Sequence, residues 1–301
     1  MRIQVWGARG SVPTPSADTI VYGGNTACVE VCLASGQNFI FDAGTGIRGL
    51  GLARWGKARS GMELAELDPC GAQQGAQIFL THFHWDHIQG LPFFSALYDV
   101  RETVTLYSPR PVEQLQSILG TQMMAPFFPM FFGDLPATME FRQLTGEPMV
   151  FGEARISSFA LTHPQGSSGF KVEYGGATFV YATDHEHGES AADKRLCQAA
   201  EGADVLFYDA QFTPAEYVNH RGWGHGTWLE GTRVAGQAGV RQLVLFHHDP
   251  SHDDGQMDAL LAQARLHFPE TLAAAEGLVI EIPGGSEEQE ARKPAGAILE
   301  H

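Results

Sequence analysis

The sequence predicts an α/β (α+β) chain in which sheets stack on each other and helices cover them from outside. Three observations carry that prediction. Short apolar runs of strand character, bounded by Gly, Pro or Asp, recur along the whole chain. The first part holds such runs almost alone, whereas the later ones alternate with helical stretches, an order that suits stacked sheets with outer helices better than a simple doubly wound sheet. Finally, 301 residues with 44% hydrophobic and 18% charged side chains suffice for a substantial core and exclude global disorder.

In chain order, strands are expected at Ile3–Trp6, Ala27–Leu33, Asn38–Phe41, Gln77–Leu80 and Val104–Tyr107, then Arg155–Ala160, Phe170–Glu173 and Thr178–Tyr181. Further ones follow at Val205–Tyr208, Gln242–Phe246 and Leu278–Ile282. Tyr174-Gly175-Gly176-Ala177 reads as a tight hairpin between two of them. Helices are expected over Pro111–Gly120, Ala191–Ala200, Thr227–Ala238 and Gly255–His267. Met123–Phe132, rich in Met and Phe and interrupted by prolines, suits neither a regular helix nor a central strand. It reads equally as a lid or interface and as part of the core.

The four cysteines, Cys28, Cys32, Cys70 and Cys197, form no C-x-x-C pair, so disulfide stapling is not expected. Cys28 and Cys32 share one face of a strand and read as small core residues in a reducing cytoplasm. No apolar run is long enough for a membrane span, and Met1–Gly7 has no secretory apolar region; the expected location is cytoplasmic. From Gly284 a polar tail is expected over 284–301, whose closing Leu299-Glu300-His301 looks like the start of a histidine tag.

With 19 basic and 35 acidic residues the formal net charge is −16. Such a field opposes a long nucleic-acid partner, which non-specific backbone binding would meet with a basic face. A small anion drawn in locally by metal ions escapes that objection. Histidine is the informative residue type, with 13 copies. Thr81-His82-Phe83-His84-Trp85-Asp86-His87 directly follows the apolar run Ile78-Phe79-Leu80. In extended chain, His82 and His84 point to the same side and can chelate one ion. Asp86 and His87 fall where the chain turns, within reach of a second ion beside the first.

This H-x-H-x-D-H motif after a strand resembles the metallo-β-lactamase superfamily, from the N-terminal strands to about Ile282. The resemblance implies a four-layer αββα sandwich, a single domain over 1–283, with its metal site at one edge of two stacked sheets. It further implies His163, in Leu161-Thr162-His163-Pro164, as a ligand of the first ion with His82 and His84. Asp184, in Thr183-Asp184-His185-Glu186, would bridge, and His247, in Phe246-His247-His248-Asp249, would complete a second set with Asp86 and His87. The Thr-Asp-His-Glu context differs from the commoner Gly-Asp-Thr, so His185 and Glu186 compete with Asp184. Likewise His248 directly follows His247, and neighbours in a strand point opposite ways. Asp42, in Phe41-Asp42-Ala43-Gly44, resembles the aspartate that steadies the ligands by hydrogen bonds.

Within the superfamily, Tyr208-Asp209-Ala210-Gln211-Phe212 and Gly224-His225-Gly226-Thr227 resemble the paired HEAT and HST segments of ribonuclease Z and its phosphodiesterase relatives. Expulsion of an alkoxide from phosphorus needs a proton, which His225, held by Asp209, could supply. His225 also reads simply as the residue before a helix capped by Thr227. The expected protein is a metal-dependent hydrolase with two divalent ions, Zn or Mn first and Fe next, that cleaves a small phosphodiester such as a cyclic nucleotide. A bridging hydroxide would attack phosphorus, with Asp86, Asp209 and His225 as the catalytic residues. The alternatives are a ribonuclease Z-like RNA 3′-processing enzyme, against which no basic arm is evident, and a non-catalytic metal-binding module. Lactonase or thioesterase activity is a third class that would not need His225. Resemblance also suggests a homodimer, with Met123–Phe132 as a contact.

Overall fold

The computed structural model describes residues 1–55 and 75–283; Cys70 and the expected tail 284–301 lie outside them. Two seven-stranded sheets stack face to face. The first contains β1 (Arg2–Gly7), β2 (Cys28–Cys32), β3 (Asn38–Phe41), β4 (Ala76–Phe79), β5 (Thr103–Ser108) and β6 (Thr138–Gln143), with β14 (Val279–Glu281) at the β1 edge. The second runs from β7 (Met149–Phe151) through β8 (Ala154–Leu161), β9 (Ser167–Tyr174), β10 (Ala177–Ala182), β11 (Val205–Asp209) and β12 (Gln242–Phe246) to β13 (Thr271–Ala273). Helices α1 (Gly46–Arg54) and α3 (Val112–Gln122) lie against the first sheet, with the short α2 (Trp85–Ile88) between them in sequence. Helices α4 (Ser190–Ala200), α6 (Trp228–Ala238) and α7 (Asp254–His267) lie against the second, and α5 (Pro214–Tyr217) is a single turn.

Strand parity explains the layering. Phe39 and Phe41 of β3, Phe179 and Tyr181 of β10, Phe207 of β11 and Val244 and Phe246 of β12 turn inward and fill the space between the sheets. Their in-between neighbours turn outward: Ile40 joins Ile78, Ile47, Leu50 and Leu119 beneath α1 and α3, and Val180, Leu206, Leu243 and Leu245 meet Leu196, Val234 and Leu260 beneath the helices of the second sheet. Both faces of these strands are buried, which is why they read as unbroken apolar runs. Within each sheet the pairing changes from antiparallel to parallel, at β3–β4 and at β10–β11. The carboxyl ends of β3, β4, β10, β11 and β12 therefore gather along one edge, where open α/β sheets hold their ligands.

The expected hairpin is present, with Gly175 and Gly176 both at positive φ between paired Tyr174 and Ala177. Strands β6, β7 and β13, helix α1 and the single turns α2 and α5 are additions to the sequence-based expectation. Helix α1 was hidden by three glycines in Gly46-Ile47-Arg48-Gly49-Leu50-Gly51, which oppose helix by propensity; buried Ile47 and Leu50 hold it in place. The cysteine expectation needs one correction. Cys28 and Cys197 are free, but Cys32 is disulfide-bonded. Met123–Phe132 divides: Met123 is fully buried and Phe128, Met130 and Phe132 rest on the same outer core, while Met124, Phe127 and Phe131 stand exposed.

Candidate metal centre

Most candidate ligands sit just past the end of a strand: His82 and His84 after β4, His163 after β8, Asp184 after β10 and His247 after β12, while Asp86 and His87 lie on the short α2 that follows His84. Their donor atoms converge in overlapping groups. His82, His84 and His163 form one, Asp86, His87 and His247 another, and His82, His87 and Asp184 join the two, with the atoms of each group within 4.8 Å of one another. Asp184, Asp209, His225 and His247 form a further group of the same tightness. Asp184 lies centrally: its Oδ1 is 3.7 Å from His82 Nε2 and 3.6 Å from His163 Nε2, and its Oδ2 is 3.1 Å from His87 Nε2 and 3.4 Å from His247 Nε2.

Hydrogen bonds behind the histidines set which nitrogen faces the centre. His87 Nδ1 donates to Asp42 Oδ2 at 2.8 Å, His163 Nδ1 to the Gly224 carbonyl at 2.8 Å, and His247 Nδ1 to Gln211 Oε1 at 3.1 Å. His84 is turned the other way, its Nε2 on Gln165 Oε1 at 2.9 Å and its Nδ1 3.0 Å from His163 Nε2. Each ring thus keeps one nitrogen committed to a supporting group and turns the other toward the centre, among the remaining candidate ligands. Asp42 is the most connected of these supports, accepting also from the Thr81 backbone N–H at 2.8 Å and the Tyr181 hydroxyl at 3.1 Å. Asp86 Oδ2 accepts the Ser11 backbone N–H at 2.7 Å.

Backbone conformation singles out the same place. Among the described residues, the non-glycine residues at positive φ are Ser11, Asp42, Gln165, Asp184 and His247, with φ between 57 and 63°. Left-handed backbone disfavours a β-carbon, and such residues persist where surrounding contacts over-determine them. All five either face the centre or hydrogen-bond a side chain that does. Close approach adds a second constraint: a β-carbon on Gly10 would lie 2.3 Å from His247 Nδ1, and one on Gly224 2.3 Å from His163 Nδ1.

The alternatives raised by the sequence fall outside these groups. His185 accepts the Thr162 N–H through Nδ1 and meets Asp193 through Nε2. His248 points away and donates to the Ala274 carbonyl at 2.7 Å. Glu186 clasps the loop before His225, accepting from the Tyr217 hydroxyl at 2.9 Å and from the N–H groups of Gly222 and Gly224 at 2.7 and 2.8 Å. Sequence reasoning missed this clasp, together with Gln165 and Gln211. Their positions beside His163 and Asp209 were the available signal.

Charge balance shows what the centre accommodates. Burial opposes a proton on His87, but Asp184, Asp86 and Asp42 outweigh it and hold its imidazole well above the ordinary value. Burial is likewise overcome at His247, chiefly by Asp184 and Asp86, and its value rises to about 9. At His82 and His163 burial, reinforced by the neighbouring histidines, prevails over Asp184 and pushes both down, which favours free lone pairs. Against burial, the histidines around them hold Asp86 and Asp184 well below the carboxylate range. Buried carboxylates drawing in positive charge, beside neutral imidazoles, suit borderline divalent ions. His82 Nε2 is moreover buried without a hydrogen-bond partner. The residues therefore fit divalent metal.

Within the fourth of these groups, His225 Nδ1 donates to Asp209 Oδ2 at 2.8 Å. Asp209 is fully buried and fixed by the backbone N–H groups of Asp184, Gln211 and Gly226 at 2.9, 3.1 and 3.0 Å. The helix-cap reading of this segment holds as well, since the Thr227 hydroxyl accepts from Glu230 N at the start of α6.

A sandwich of two mixed sheets between helices, with histidines and aspartates gathered at one edge, defines a class of metal-binding hydrolases. The chain belongs to it: residues 37–248 match the model of the β-lactamase superfamily domain. A ribonuclease Z of Synechococcus sp. (strain CC9311) is 26% identical over 337 residues, covering 94% of this chain and 99% of that relative. Among solved structures, the metallo-β-lactamase fold protein YhfI from Bacillus subtilis superimposes with a TM-score of 0.66 at 20% identity, over 93% of this chain and 98% of its own. A diphosphatase of the PhnP family gives 0.64 at 18% identity, over 94% and 98%. The fold is thus the metallo-β-lactamase fold, and the protein is a hydrolase.

Proposed function

We propose that the chain is a dinuclear metal-dependent phosphodiesterase that hydrolyses a small phosphodiester, with cyclic nucleotides as the leading substrate class. The observation that carries the reading is the buried Asp209–His225 pair, 2.8 Å apart, at the margin of the donor groups. His82, His84 and His163 would hold one ion, Asp86, His87 and His247 the other, and Asp184 would serve both. Divalent ions in such a donor set supply Lewis acidity, drawing charge from phosphoryl oxygens and making water acidic enough to ionise near neutral pH.

The rest of the chemistry falls to the chain itself. Asp209, immobilised by three backbone N–H groups, commits His225 Nδ1, so the doubly protonated ring delivers its proton from Nε2 to the departing oxygen. His163 stands beside it, ring centroids 5.1 Å apart, and the Glu186 clasp fixes the loop that carries both His225 and the carbonyl orienting His163. His225→Ala is expected to lower kcat for 3′,5′-cyclic AMP by about 10²–10⁴, the range for loss of a positioned acid, while two ions stay bound by elemental analysis. An unchanged kcat would remove His225 from the mechanism.

A second reading, an RNA 3′-processing nuclease, is favoured by the ribonuclease Z relative, which aligns over 94% of the chain. The net charge of −16 weighs against it. The two readings part on salt. Affinity for a tRNA precursor should fall by orders of magnitude between 50 and 200 mM salt if many phosphates are gripped, whereas KM for a cyclic nucleotide should move only a few-fold.

A further inference from the structure

The segment Asp184-His185-Glu186 supplies one candidate ligand and two residues that stand outside the donor groups. Both of these turn to the residue before His163. His185 Nδ1 accepts the Thr162 backbone N–H at 3.2 Å, while its Nε2 meets Asp193 Oδ1 at 3.0 Å. The backbone N–H of Glu186 donates to the Thr162 carbonyl at 2.8 Å. The segment that follows β10 thus grips the peptide groups on both sides of Thr162, just past the end of β8.

From Thr162 the hydrogen bonds run in a closed circuit. The Glu186 side chain reaches the loop before α6 and accepts the Gly224 N–H through Oε2 at 2.8 Å. The Gly224 carbonyl accepts in turn from His163 Nδ1 at 2.8 Å, and His163 is joined covalently to Thr162. The circuit ties together the ends of β8 and β10 and the loop whose next residue is His225. Glu186 Oε1 steadies the same loop through the Gly222 N–H at 2.7 Å and the Tyr217 hydroxyl at 2.9 Å. Gly222 and Gly224 can both reach one carboxylate because they stand at φ 86° and 92°, a backbone that glycine adopts without steric cost.

We propose that Glu186 is a positioning residue, whose carboxylate sets His163 toward an ion and His225 toward the departing oxygen as one unit. Holding the His163 ring holds the Gly224 peptide as well, and a loop fixed by Glu186 raises ion affinity at His163 by the same free energy. The role toward His225 rests on the phosphodiesterase reading; the role toward His163 stands on the circuit alone. A carboxylate that merely shored up the fold would cost stability when lost and leave ion affinity and turnover unaltered.

Glu186→Gln opens the circuit at a known bond. Two donors meet Oε1, so the single amide oxygen stays there and the NH2 confronts the Gly224 N–H. In competition with a chromophoric chelator, one of two zinc ions should weaken about 10–100-fold, the usual loss when a group behind a ligand goes, and the other should not change. At saturating zinc, kcat for 3′,5′-cyclic AMP should fall about tenfold, a fraction of what a positioned acid contributes, with KM unaltered. In His225→Ala the same substitution should have little further effect on kcat, because residues that act as a unit are not additive. Tyr217→Phe removes a donor from the same carboxylate but leaves the circuit closed, so it should lower Tm and change neither ion affinity nor kcat. If Glu186→Gln does not fold, hydrogen exchange in the wild type carries the test: the Gly222 and Gly224 amides should exchange more slowly with zinc bound than after chelation. Unchanged affinity for both ions in Glu186→Gln, equal losses in Tyr217→Phe, or exchange indifferent to zinc overturns the proposal. Lost affinity with unaltered kcat overturns the role toward His225. Affinity and exchange are read without substrate, so if both behave as expected and no phosphodiester is cleaved, Glu186 keeps its hold on His163 and the phosphodiesterase reading falls.

Discussion

Asp42 touches neither substrate nor ion in the proposed arrangement, yet its carboxylate joins β3, β4 and β10 through Thr81, His87 and Tyr181. It is wholly buried, and its hold on His87 Nδ1 keeps the other nitrogen of that ring toward Asp184. Replacing it with Asn preserves size but puts a donor where acceptors are needed. Asp42→Asn should therefore lower affinity for the ion at His87 about 10–100-fold, the usual cost of losing a support behind a ligand, with the circular dichroism spectrum retained. Metal affinity measured by competition with a chelator checks this; unchanged affinity would show that His87 is held by its other contacts. The ligand candidates were legible in the sequence because histidines and aspartates after apolar strands are rare and local. Gln165, Gln211 and Glu186 were not, because an amide or carboxylate that supports another side chain has no spacing signature and becomes visible only when the fold brings distant loops together.

At the level of elements, β2 and α1 are joined by a buried ion pair. Glu30 is fully buried between Arg54, at 2.5 Å, and the Trp6 indole N–H, at 3.2 Å. Burial pushes the Glu30 carboxyl up from its ordinary 4.5, and Arg54 and Trp6 only partly offset that. The folded state thus holds this proton more tightly than the unfolded chain does. Its contribution to stability is full below about pH 4.5 and is lost as pH rises through the folded-state value. The stability of wild type relative to Glu30→Gln should accordingly be constant at low pH and decline from about pH 4.5 upward, in urea unfolding across a pH series; a rising difference would mean that Arg54 prevails over burial. Glu30 also shows how element-level reading from sequence fails. Glu30 shares the face of the two core cysteines in Cys28-Val29-Glu30-Val31-Cys32, and the partner that lets a carboxylate be buried there, Arg54, sits on α1, which was concealed by its glycines. Strand β6 leaves a fainter mark for a different reason: Thr138-Met139-Glu140-Phe141-Arg142 is only half-buried at an edge and carries no continuous apolar run.

For the molecule as a whole, the sandwich brings both sheets to the centre: β3 and β4 supply one side, β8, β10, β11 and β12 the other. Ions bound there would tie the two sheets together at their open edge, and binding to the folded state alone raises its stability. Metal at a hundredfold excess over its dissociation constant adds about 2.7 kcal/mol. Chelation should therefore lower Tm by about 5–10 °C for a domain of this size and leave the aromatic core between the sheets unaltered in near-ultraviolet circular dichroism. A Tm indifferent to chelator would mean that the donor groups are organised by the protein alone. Fold class was legible at this scale because doubly buried strands leave continuous apolar runs. The division of those strands into two seven-stranded sheets was not, since long-range pairing leaves no local mark.

The five left-handed residues around the centre have a practical corollary for anyone who would improve this protein. Each holds a conformation that glycine would adopt with less strain, so substitution there is a tempting way to raise thermal tolerance. Yet those backbones aim Asp184 and His247 inward, offer the Ser11 N–H to Asp86 and bring Gln165 and Asp42 to their histidines. Selection for heat resistance and selection for turnover would pull the same handful of positions in opposite directions, and variants recovered under one pressure should show the mark of the other.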